Sequence, residues 1–120
     1  GGAMVLNMAR MGMELRAVAS FHGDLDSFFS PLPGNIKAKV LVCHGDSDEF
    51  ISKEAIDEFK LEMDSARADY EIISYKGAFH GFSNPAADAR GNKFNIPLAY
   101  NESADRNSWK SMKELFENNF

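Results

Sequence analysis

Apolar residues recur along this chain first at helical and then at strand spacing, and the changes of period divide it into elements. Met4, Met8 and Met11 fall on one face of a helix that should end near Gly12, which predicts that the methionines pack onto a neighbouring layer. Residues 16–21 form a short, mostly apolar run that reads as a strand closing at His22 and Gly23. Pro31, Pro33 and Gly34 mark 24–35 as a surface connection. A second strand follows over 39–44, with apolar residues at consecutive positions, as expected where helices cover both sheet faces. It stops in the turn-forming Gly45-Asp46-Ser47-Asp48.

Ser52 is a good N-cap, and Ile56, Phe59, Met63 and Ala66 behind it make one apolar helical face. Residues 69–75 alternate and are rich in aromatic and β-branched types, which predicts a third strand. A last helix over about 103–118 sets Trp109, Met112 and Phe116 on one stripe, with Trp109 as a core anchor. Strands alternating with helices imply an α/β architecture with a largely parallel sheet flanked by helices. The one long irregular segment is 83–102; a stretch that long suggests a lid, a binding loop or an unrecognised element.

Composition narrows the functional classes. Eighteen acidic residues against thirteen basic ones give a net charge of -5, so no basic surface favours nucleic acid or an anionic membrane. No segment is long and apolar enough to predict a membrane span. The single cysteine, Cys43, sits inside an apolar strand and has no disulfide partner, which fits a cytoplasmic protein.

In parallel α/β sheets functional groups collect at the carboxyl ends of the strands. Those ends here carry His22, the Asp46/Asp48 turn and, a little beyond the third strand, His80. An acid and a histidine at one sheet edge suit a triad, in which a carboxylate fixes the tautomer of a histidine that activates a nucleophile. His44, Asp46 and Asp48 could also be read as metal ligands, but a calcium loop starting at Asp46 would need glycine where Ile51 stands. No metal or other cofactor is expected. Ser47 lacks the strand, elbow and helix context of a nucleophile. His22 is a candidate pocket-lining residue, the other reading being simple strand termination.

These residues resemble the dienelactone hydrolase family of α/β-hydrolases. Gly1-Gly2 before a helix looks like the end of the family's Gly-x-Cys-x-Gly-Gly elbow, which would put the nucleophile two positions before Gly1. Gly45-Asp46-Ser47-Asp48-Glu49-Phe50-Ile51 is similar to the family's acid motif and assigns the triad carboxylate to Asp48 rather than Asp46. Gly77-Ala78-Phe79-His80-Gly81-Phe82 looks like its histidine loop and assigns the base to His80. The resemblance implies that 1–120 is the C-terminal part of an α/β-hydrolase domain beginning just after the elbow, with an ester or lactone as substrate. Asn84 stands in the region where dienelactone-cleaving members carry an arginine that binds the substrate carboxylate. That makes Asn84 the corresponding substrate-side residue and shifts the expected substrate toward neutral esters. The chain alone is expected to be inactive, and to associate with itself or with the N-terminal part. The rival reading is a non-catalytic module that binds a partner through its open sheet edge.

Overall fold

The computed structural model describes residues 1–27 and 29–120. Strands β1 (Ala17–Phe21), β2 (Lys39–Gly45) and β3 (Tyr70–Tyr75) form one parallel sheet in the order β1-β2-β3. The expected α/β architecture is therefore observed. Alternation along β2 feeds two cores. Val40 and Val42 face helices α1 (Gly2–Arg10) and α2 (Lys53–Ser65), where Leu6, Ala9, Phe59 and Met63 meet them. Leu41 and Cys43 face the opposite layer, which is closed by Ala78, Phe82 and the Ala104 side of α4 (Glu102–Asn119). Coverage on both faces explains why β2 reads as a continuous apolar run.

Helix α2 begins as its sequence predicts: Ser52 Oγ accepts from the Ala55 N–H at 3.0 Å. Phe59 and Met63 are each 2% exposed, and burying side chains of this kind contributes roughly 1.5–3 kcal/mol apiece. Ala66 is also buried and Ile56 is partly buried, so the expected face is the observed one.

Three expectations need correction. The methionine stripe of α1 is not the packing face: Met4 and Met11 are exposed, and Leu6, Ala9 and Arg10 turn inward instead. Arg10 can be wholly buried because its guanidinium is satisfied. Nε and Nη2 donate to the two carboxylate oxygens of Glu62 at 2.9 and 2.8 Å, and Nη2 also donates to the Leu25 carbonyl at 2.6 Å. Trp109 is not a core anchor, being 53% exposed; the buried line of α4 runs through Ala104 and Ser108. Finally, 83–102 is not irregular throughout, since it contains α3 (Ala87–Phe94). This helix has no side-chain N-cap and buries only the small Ala87 and Gly91, so neither start signal nor apolar face announces it. After α3 the chain returns beside the histidine loop, bridging Leu98 to His80 and donating from Asn101 N–H to the Phe82 carbonyl at 3.0 Å.

Candidate active site

Two turns, following β2 and β3, are interlocked at the carboxyl edge of the sheet. Asp46 N–H donates to the Tyr75 carbonyl at 3.1 Å, Ser47 N–H to the Ala78 carbonyl at 3.0 Å, and Asp46 Oδ1 accepts from Gly77 N–H at 2.7 Å. Gly45 permits this approach, since a Cβ there would overlap the Ala78 carbonyl. Asp46 is thus occupied in holding the histidine loop.

Asp48 differs from Asp46 in what its carboxylate meets. Its Oδ1 accepts from Phe50 N–H at 2.8 Å, its Oδ2 lies 2.8 Å from His80 Nδ1, and its side chain has no exposed surface. A buried carboxylate needs such partners, and here they fix its orientation. Placing the imidazole proton on Nδ1, toward Asp48, leaves Nε2 as the unprotonated nitrogen. The His80 side chain keeps 30% of its surface, enough to reach a reactant. Phe50 leans over the His80 ring with centroids 5.0 Å apart, and His22 stands edge-on to it at 5.4 Å.

His80 opens onto a cavity of about 750 Å³ walled by Gly1 and Gly2 at the start of α1, by Phe21 and His22 at the end of β1, and by Ser83 and Trp109. Asp24 and Asp105 add carboxylates to the wall, and no Lys or Arg among the described residues does so. His22 Nε2 is 2.8 Å from Ser83 Oγ, and burial together with the nearby His80 lowers the His22 pKa from its usual 6.5. Asn84 does not line the cavity; its Oδ1 accepts from Ala86 N–H at 3.0 Å and shapes the turn before α3.

The other reactive side chains are placed unfavourably for chemistry. Cys43 is fully buried, and its burial pushes the thiol up to about 11, against the direction a nucleophile requires. Ser47 Oγ lies 3.3 Å from Asp46 Oδ1 within the turn. Among the described residues no three His, Cys, Asp or Glu side chains converge as metal ligands. No helix among them is long and apolar enough to cross a membrane. Phe50, Ser83 and Trp109 join the site without a sequence signal of their own: each depends on contacts between segments that local spacing does not encode.

The chain is 33% identical to the uncharacterized Caenorhabditis elegans protein K02A2.1, over the whole of this chain and 75% of that one. Among solved structures it is similar to a dienelactone hydrolase-like promiscuous phosphotriesterase from metagenomic libraries, at 36% identity and a TM-score of 0.91. It is similar also to the protein m3DLH, at 39% identity and a TM-score of 0.91. Both likenesses cover all of this chain but 49% of the other, so the chain spans about half the length of these solved relatives. All 120 residues match the dienelactone hydrolase family, to which the chain belongs.

Proposed function

We propose that Asp48 and His80 are the acid and the base of a hydrolase triad, whose Cys or Ser nucleophile is supplied by residues preceding Gly1. The observation that carries this reading is the 2.8 Å contact between the buried Asp48 carboxylate and His80 Nδ1, on a ring that opens into the cavity. In this scheme His80 Nε2 takes the proton of the nucleophile as it attacks an ester or lactone carbonyl. It returns that proton to the leaving alkoxide, and Asp48 stabilises the imidazolium in between. Water then releases the acyl group by the same exchange. The unpaired outer edge of β1 would pair with the strand leading into the elbow, bringing the nucleophile to the Gly1 side of the cavity.

Neutral esters are the proposed substrates. A carboxylated lactone would meet Asp24 and Asp105 and no cation among the described residues that line the cavity, and Asn84 is committed to its own turn. The test is turnover of a p-nitrophenyl ester by the full-length protein, with the acyl adduct located by mass spectrometry. Turnover with the adduct before Gly1 is expected, and a lactone whose carboxylate is masked as a methyl ester should be cleaved in preference to the same lactone with its carboxylate free. No turnover, or an adduct on Ser47 or Cys43, would contradict the assignment.

A further inference from the structure

Three non-glycine residues among those described have positive φ: His22, Arg67 and Asn95. Arg67 and Asn95 lie at the C-terminal ends of α2 and α3, where a left-handed residue commonly closes a helix. His22 has no such reason. It follows β1, with φ at 42°, and its N–H is tied to the Cys43 carbonyl at 2.9 Å. A side chain kept in this region, which favours glycine, points to a task for the side chain.

That side chain is held from two directions. Ser83 Oγ takes up Nε2 at 2.8 Å, and the ring stands edge-on to Phe82 with centroids 5.1 Å apart. The His22 ring meets that of His80 with centroids 5.4 Å apart at 67°, and Phe50 also contacts the His80 ring, at 5.0 Å. Nε2 is committed to Ser83, and the His22 ring forms part of the cavity wall. We infer that His22, fixed by Ser83, is a positioning residue that limits the rotation of His80 about its Asp48 bond. Burial favours the neutral imidazole at His22, which avoids opposing the imidazolium that forms on His80 during turnover.

The inference rests on His80 being the base, and the test separates the two. In the full-length protein, His22→Gly keeps the backbone conformation accessible, so the thermal midpoint should stay close to that of the parent while kcat falls about tenfold and KM changes little. Ser83→Ala should lower kcat similarly and Ser83→Thr, which keeps the hydroxyl, should restore it. The double variant His22→Gly/Ser83→Ala should be no worse than either single one, because the two act as a unit. Unchanged kcat in both His22→Gly and Ser83→Ala, or a loss confined to KM, would overturn the inference. His80→Ala assayed alongside is expected to lose turnover; if it retained it, the base assignment itself would fall.

Discussion

Two carboxylate pairs of equal length do opposite things in this molecule. Arg10 and Glu62 meet at 2.8 Å beneath α1 and α2, as do Asp48 and His80 at the carboxyl edge of the sheet. In the first pair the cation is the buried partner, and its guanidinium donors hold α1, α2 and the Leu25 carbonyl together. In the second the carboxylate is buried and the cation-forming ring is partly open, with one nitrogen bound and one free. A pair whose hydrogen-bonding capacity is taken up internally braces a fold, whereas one that leaves a titratable nitrogen on a cavity can do chemistry. Pair distance alone does not distinguish them.

Breaking each pair should therefore move different observables. Asp48→Asn is expected to lower ester turnover of the full-length protein by about 10⁴, because an amide at this position favours the wrong imidazole tautomer. Asp46→Asn, assayed in parallel, should cost less than about tenfold, since its partner is the Gly77 backbone. A reversal of these two effects would shift the acid by two positions. Arg10→Met should leave kcat of the folded protein intact and reduce stability in urea by about 3 kcal/mol, through an unpaired Glu62 and unsatisfied backbone carbonyls. A stability loss below about 0.5 kcal/mol would rank this pair with ordinary surface ones.

The smallest effect concerns pH. Burial lowers the pKa values of both His22 and His44 from 6.5. The unfolded chain then binds more protons between the lowered folded values and 6.5, so stability rises with pH in that window. The contribution is fully present above about 6.5 and is lost as pH falls through the folded values. Urea unfolding at about pH 7.5 and about pH 5 should show lower stability at the acid end, and His22→Gln/His44→Gln should reduce that difference.

Sequence patterns conveyed those parts of the molecule governed by local rules. The three strands, the Ser52 cap and the α2 face follow from apolar period and capping chemistry within a few residues. The strand-end positions of Asp48 and His80 were legible for a similar reason, since parallel sheets gather such groups at one edge. What local rules do not weigh is competition between faces. In α1 a fully hydrogen-bonded arginine displaced the methionines from the interior, and in α4 the small residues Ala104 and Ser108 won the close approach to the sheet over Trp109. The contact from Ser83 to His22 joins residues 61 positions apart and has no local signature at all.

The proton of His80 gives the most direct test of the central claim. Proton and ¹⁵N NMR of the full-length protein at neutral pH should show an Nδ1–H resonance of His80 displaced strongly downfield by the Asp48 carboxylate, with Nε2 unprotonated. That resonance should persist in Asp46→Asn and vanish from its position in Asp48→Asn. A neutral His80 carrying its proton on Nε2, or an Nδ1–H resonance indifferent to Asp48→Asn, would contradict the account.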